Sequence, residues 1–293
     1  MEKTVIFRPL DSAPPPLTSI SVSPKGRLIA CGTMDGQILL FDSISGKSKR
    51  GIVGHDGSIS AVSFTGKSNS IISCGWDKTT RLWDTRSKEE PIVLKHASEV
   101  KAMATSVPSG KGASGARDGE IKVFSLSSLK CVKNLQAHKS DISGIVLLDE
   151  DKKMVTSSYD GDCKIWDLSS YESTKTLVEQ QARIRSIASL GDGSSVFLGQ
   201  HDGTILRIST ENVDDKTEML GHTDIVGTMS IDPSGKFLAS GSWDTTLRIW
   251  SLDDFKEIAL GKLVTGIASL AWSTKEHVVY SADFSGSVTS WSF

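Results

Sequence analysis

Seven short segments ending on an apolar or aromatic residue recur along the chain at an almost constant interval. They are Gln37–Phe41, Thr79–Trp83, Glu120–Phe124, Asp162–Trp166, Thr204–Ile208, Thr245–Trp250 and Ser287–Trp291. Their last residues fall at 41, 83, 124, 166, 208, 250 and 291, in steps of 42, 41, 42, 42, 42 and 41. A second register lies six positions earlier: Asp35, Asp77, Asp118, Asp160, Asp202 and Asp244, with Ser285 in the last copy. A third lies 22 residues before that one: His55, His96, His138 and His222, with Ala13, Gln180 and Leu263 in the other copies. A period of this length marks a repeat architecture, in which each unit buries its apolar face only against its neighbours.

Each copy reads as four short strands. In the sixth, Ile225 to Asp232 is a strand and Pro233-Ser234-Gly235-Lys236 is a turn. Phe237 to Ser242 is a second strand, Trp243-Asp244 a tight turn, Thr245–Leu252 a third strand and Lys256–Leu260 a fourth. Val, Ile and Thr between Pro, Gly, Ser and Asp clusters predict an all-β chain. No segment sustains a 3.6-residue period.

Composition removes whole classes. Of 293 residues, 38% are hydrophobic and 23% charged, and 33 basic against 35 acidic side chains leave a net charge of -2. That balance argues against direct nucleic-acid binding through bulk charge. No apolar run approaches the ~18 residues of a membrane span. The four cysteines (Cys31, Cys74, Cys131, Cys163) are far apart, with no C-x-x-C, and read as reduced thiols of a cytoplasmic or nuclear protein. No cofactor or metal motif is present.

The repeats resemble the WD40 family. Gly54-His55 with Trp83-Asp84, and Gly221-His222 with Asp244 and Trp250, carry the resemblance. It covers essentially the whole chain and implies a seven-bladed β-propeller, read as a single domain over residues 1–293. The last copy ends at the third strand (Trp291-Ser292-Phe293) and lacks a fourth. The apolar segment Thr4–Leu10 is predicted to supply it and lock the ring.

The resemblance also implies that His and Asp at fixed spacing are structural, not catalytic. It predicts a network from indole to hydroxyl to imidazole to carboxylate. The sets are Trp83, Ser73, His55 and Asp77; Trp166, Thr156, His138 and Asp160; and Trp250, Ser240, His222 and Asp244. The third copy keeps Ser114, His96 and Asp118 but has Phe124 for Trp. Copies one, five and seven depart further and are expected to rely on apolar packing. No phosphate-loop, G-x-S-x-G or H-E-x-x-H motif occurs, so the chain reads as a non-enzyme.

Function is expected on the rim of the channel. The residue before each turn Asp is the exposed corner of that turn: Met34, Trp76, Arg117, Tyr159, His201, Trp243 and Phe284. Trp, Tyr and Arg are the residues that dominate binding hot spots. The resemblance adds positions three and five past the His register, among them Lys101, Arg183 and Arg185. Lys101, Arg117, Arg183 and Arg185 form a basic arc, opposite an apolar arc of Trp243, Phe284, Met34 and Trp76. A partner with an acidic or phosphorylated stretch beside a hydrophobic anchor fits both.

The chain therefore reads as a scaffold or adaptor subunit, monomeric in itself, within an intracellular hetero-complex. Three alternatives stand beside this. Trp83-Asp84-Thr85-Arg86 looks like the motif by which some WD40 substrate receptors dock on the cullin-4 ubiquitin ligase adaptor, with Asp84 and Arg86 as contacts. An RNA-associated scaffold would use Arg183 and Arg185 with Trp and Tyr stacking. A propeller enzyme would need a metal or a perturbed His or carboxylate in the channel.

Overall fold

The computed structural model describes residues 1–8, 14–87, 89–148, 152–179, 182–273 and 277–293, apart from the Arg50 side chain. Within these the chain forms seven four-stranded antiparallel sheets and no helix. Six sheets are built from four consecutive strands each. The first strands of the seven blades are Leu17–Val22, Ile59–Phe64, Val100–Ser106, Ile142–Leu148, Ile184–Ser189, Val226–Ile231 and Ile267–Trp272. Each packs against the first strand of the next, and the seventh packs against the first, so the ring is closed around a channel.

Closure comes from the two ends of the chain. The strand Glu2–Phe7 pairs antiparallel with Val288–Ser292 and completes the seventh sheet. It therefore begins and ends earlier than the expected Thr4–Leu10, and Pro9 and Leu10 lie outside the described residues, as do Ala13 and Gln180. Phe7 lies 4.3 Å from Phe41, ring centre to ring centre, so the closing strand also covers the end of the first repeat. A closed ring leaves only short strand edges to solvent.

The core is divided among the blade interfaces. Ile29, Ile71, Val196, Leu238 and Val279 on second strands are fully buried. Each contributes to a cluster that draws on adjacent sheets. Trp83, Trp250 and Trp291, which end third strands, are buried in these clusters, and Trp166 is buried in a further one with Met154 and Ile142. Trp272 is half-buried and donates its indole N–H to the Ser230 carbonyl at 2.8 Å.

Candidate functional site

Two backbone features repeated in every blade build one mouth of the channel. In each first strand the pairing register slips after its first residue, leaving one residue unpaired as a bulge. Bulges re-aim side chains. The seven bulge residues, Thr18, Ser60, Lys101, Ser143, Arg185, Gly227 and Ala268, all line a cavity of about 820 Å³. Beyond them, the amide of each turn-corner residue donates to the carbonyl two residues before the bulge. Examples are Trp76 to Ser58 at 2.9 Å, His201 to Arg183 at 3.1 Å and Trp243 to Ile225 at 3.1 Å. The corners are thus held in a second ring outside the bulges.

Met34, Trp76, Tyr159, Trp243 and Phe284 line the cavity, whereas Arg117 and His201 stand outside it. Trp76 and Met34 are each 51% exposed and Trp243 is 44% exposed, high values for large apolar side chains. The aromatics are braced by their neighbours. Trp243 meets Phe284 edge-on at 6.2 Å, Tyr159 meets His201 edge-on at 5.4 Å, and Lys101 Nζ lies 4.0 Å from the centre of the Trp76 ring. A Cβ on Gly266 would come within 3.3 Å of the Phe284 ring, so glycine there lets that ring lie close.

The basic arc is smaller than the sequence suggests. Arg117 is 3.6 Å from Glu99 and 4.0 Å from Asp141, so its charge is shared with two carboxylates. Lys101 is half-buried against Trp76 and belongs to the aromatic arc as much as to the basic one. Burial pulls its ammonium below the usual lysine value, and nearby Asp141 opposes that shift. Arg185 lines the cavity and Arg183 is exposed on the outer rim.

The floor of the cavity escapes the sequence reading. Met103, Ile145, Ile187 and Met229 line both this cavity and a second one of about 540 Å³ that includes the turn Val107-Pro108 at the other end. They form an apolar waist between the two. Their positions follow the repeat period, so the signal was present: buried Ile20, Val62 and Leu270 occupy the same register in the other copies.

The His and Asp residues form hydrogen-bonded chains behind the rim. Trp83 donates to Ser73 Oγ at 2.8 Å, Ser73 Oγ lies 2.7 Å from His55 Nε2, and His55 Nδ1 lies 2.9 Å from Asp77. Trp250, Ser240, His222 and Asp244 repeat this at 2.8, 2.7 and 2.9 Å. Trp166, Thr156, His138 and Asp160 repeat it at 2.9, 2.8 and 3.1 Å. A carboxylate only accepts, so Nδ1 carries the proton and Nε2 accepts from the hydroxyl, whose oxygen receives the indole N–H. Burial lowers the imidazole pKa values, against the pull of the Asp partners, and the rings are neutral at pH 7.

Two copies differ from expectation. In the third, Asp118 does not reach His96; it is exposed and accepts the Glu120 amide at 3.1 Å. The reason is Glu120, which stands where the second and sixth copies have Thr79 and Thr246. Its carboxylate comes within 3.8 Å of His96 Nδ1, and a second carboxylate in that pocket would repel the first. His96 Nε2 instead meets Ser114 at 3.1 Å and Thr80 of the preceding blade at 3.2 Å. In the seventh copy, expected to be apolar, Trp291 still donates to Ser281 at 2.8 Å. The first and fifth copies are apolar at this place, with Phe41, Leu198 and Ile208 buried.

His138, Asp160 and Asp162 approach one another as metal ligands would. Backbone amides of Lys139 and Asp162 already occupy the Asp160 oxygens, and the Lys164 ammonium lies 3.4 Å from Asp162. The donor set therefore serves hydrogen bonds and an ion pair. Asp84 and Arg86 lie at the opposite end of the blade from the turn corners. Asp84 accepts from the Arg86 amide at 2.9 Å and from Asn69 at 3.2 Å, while Arg86 is exposed.

The profile of the WD domain, G-beta repeat, matches residues 10–42, 46–84, 129–167 and 215–251. Periodic tryptophan protein 2 of Saccharomyces cerevisiae is 30% identical over 129 residues, covering 43% of this chain and 14% of that protein. Pre-mRNA-splicing factor cwf17 of Schizosaccharomyces pombe is 27% identical over 128 residues, covering 43% of this chain and 38% of the factor. Nuclear distribution protein PAC1 of Arthroderma otae is 30% identical over 141 residues, covering 44% and 31%. The aligned stretch thus spans less than half of each relative.

Proposed function

The chain belongs to the WD40 family, and on that premise we propose that it is a non-catalytic scaffold or adaptor, a single propeller domain over residues 1–293. It would hold a protein partner at the mouth bearing Trp76 and Trp243, inside the cell in the cytoplasm or nucleus. The partner segment carries an apolar anchor for the cavity and a negative stretch for the rim arginines. The observation that carries this reading is the exposure of Met34, Trp76 and Trp243 around one 820 Å³ cavity. Soluble turns ordinarily carry small polar residues, and clustered exposed aromatics mark interaction surfaces. A cavity floored by apolar side chains suits an aliphatic or aromatic anchor. Two relatives carry the names of a splicing factor and a nuclear distribution protein, which supports a role alongside other proteins.

The test is affinity purification of the intact protein with mass spectrometry, alongside Trp76→Ala and Trp243→Ala. Both variants are expected to lose the same partner while melting within a degree or two of wild type. Retention of every partner by both variants, with the fold intact, overturns the reading.

A further inference from the structure

We infer that the channel holds one molecule of a long-chain fatty acid, its carboxylate at the inner ring of Lys101 and Arg185 and its acyl chain running through the apolar waist into the second cavity. This goes beyond the rim reading, which concerns a protein partner at the mouth, and does not depend on it.

Charge divides the channel along its length. The second cavity, of about 540 Å³, is lined by aliphatic, methionine, proline and hydroxyl side chains and, among the described residues, by no charged one. The charged lining residues, Lys101, Asp141, Arg185 and Asp224, all stand in the first cavity. Between the two lies the waist of Met103, Ile145, Ile187 and Met229, which belongs to both. A passage charged at one end and uncharged beyond an apolar neck suits a ligand of the same profile, a charged head on a single unbranched apolar chain.

The strand period builds this profile, because alternate residues of a strand share a face. Lys101, Met103 and Thr105 follow one another at that spacing on the first strand of the third blade. Arg185, Ile187 and Ser189 do so on that of the fifth. Each cation therefore stands one step above a waist residue. The bulge ring holds these two cations and no carboxylate, since Asp141 lies two residues before its bulge and Asp224 three before. The charge next to the waist is thus positive, which selects a carboxylate head over an ammonium. Burial lowers the pKa of the Lys101 ammonium, and a bound carboxylate would offset that cost.

Length and compliance fit one acyl chain. Six residues separate Lys101 from Val107 at the far end of the second cavity, about 20 Å of extended strand. A chain of about 14–16 carbons, advancing about 1.25 Å per methylene, spans that distance. Met103 and Ile187 are only half-buried, so apolar surface faces the channel, and methionine adapts its shape to what it meets.

The test is isothermal titration of the whole protein at neutral pH with octanoate, decanoate and dodecanoate, each below its critical micelle concentration, and with decanol. Wild type is expected to bind one molecule per chain, with affinity rising about fourfold per added methylene. Decanoate should bind at least about tenfold tighter than decanol. The double variant Lys101→Gln/Arg185→Gln should bring decanoate down to the decanol level. Ile187→Trp fills the waist and should abolish binding while melting near wild type. Ser189→Trp fills the second cavity below the waist and supplies the test even where Ile187→Trp does not fold: it should spare octanoate and weaken dodecanoate. No binding of any chain, an affinity indifferent to chain length, decanol bound as tightly as decanoate, several molecules per chain, or dodecanoate binding unchanged by the filling variants each overturns the inference. None of these results alters the affinity purification that tests the rim reading.

Discussion

Trp291 donates its indole N–H to Ser281 Oγ at 2.8 Å, the bond Trp83 makes to Ser73, although the seventh blade has Leu263 and Ser285 in the His and Asp registers. Both partners are buried. The hydrogen bond therefore persists where the rest of the network does not, because a buried indole N–H needs an acceptor whatever lies beyond it. Ser281→Ala is expected to cost about 1–3 kcal/mol by orphaning that donor. In the Trp291→Phe background the same change should cost much less. A double-mutant cycle by urea denaturation measures the coupling, and additive effects would show that the bond contributes nothing.

Asp244 and Asp118 occupy one register but should behave oppositely. Asp244 accepts from His222, Thr246 and the amide of Thr223, and these bonds outweigh its desolvation and hold its pKa down to about 2. Asp244→Ala should destabilise by about 1–3 kcal/mol, since it leaves buried donors unpaired. Asp118 is exposed and caps only the Glu120 amide, so Asp118→Ala should stay within about 0.5 kcal/mol of wild type. Chemical denaturation of the two variants compares them directly.

Acid should loosen the ring progressively. Burial, aided by the Lys122 charge, lowers the His96 pKa from 6.5 to about 4. Below pH 6.5 the unfolded chain takes up a proton that the folded chain refuses until about pH 4, so stability falls across that window. His55, His138 and His222 are shifted the same way. Asp244 adds a further loss from about pH 3.8 towards 2 as its carboxylate is protonated. Melting curves between pH 7.5 and 4, at about one-unit steps, should decline steadily, and His96→Asn should flatten part of the decline. A melting temperature constant over that range contradicts the assignment.

The closing strand should matter to the whole ring. Deleting residues 1–8 removes the strand paired to Val288–Ser292 and uncovers Phe41, which Phe7 contacts. The midpoint of thermal unfolding is expected to fall by at least about 5 °C. A truncated protein that melts with the intact one would mean that the seventh blade holds without its fourth strand.

One turn carries a correctable strain. Thr245 adopts φ 72°, where the equivalent positions in five other blades, such as Gly36 and Gly203, have glycine. A β-branched residue in the left-handed region costs about 1–2 kcal/mol, and glycine recovers most of it less its own entropy. Thr245→Gly is expected to stabilise by about 0.5–1 kcal/mol in the same denaturation assay.

Much of this protein is legible in its sequence. One residue per 42 in a constant phase determined the blade count, the strand order within a blade and the ring to which each corner residue belongs. The resemblance to the WD40 family, carried over at these positions, implied the hydroxyl, imidazole and carboxylate partners of Trp83, Trp166 and Trp250. Periodicity works here because each blade is a local unit whose strands meet their sequence neighbours. Contacts between blades carry no such period, and there only the tertiary structure decided. Thr80 reaches His96 from the neighbouring blade, and Lys101 leaves the basic arc for Trp76 of the blade before it; within the third blade, Glu120 stands in the place where Asp118 would meet His96. Arg117 is claimed by Glu99 and Asp141. A register of like residues says where side chains stand, but their charge and reach are set by what the next blade brings within a few ångströms.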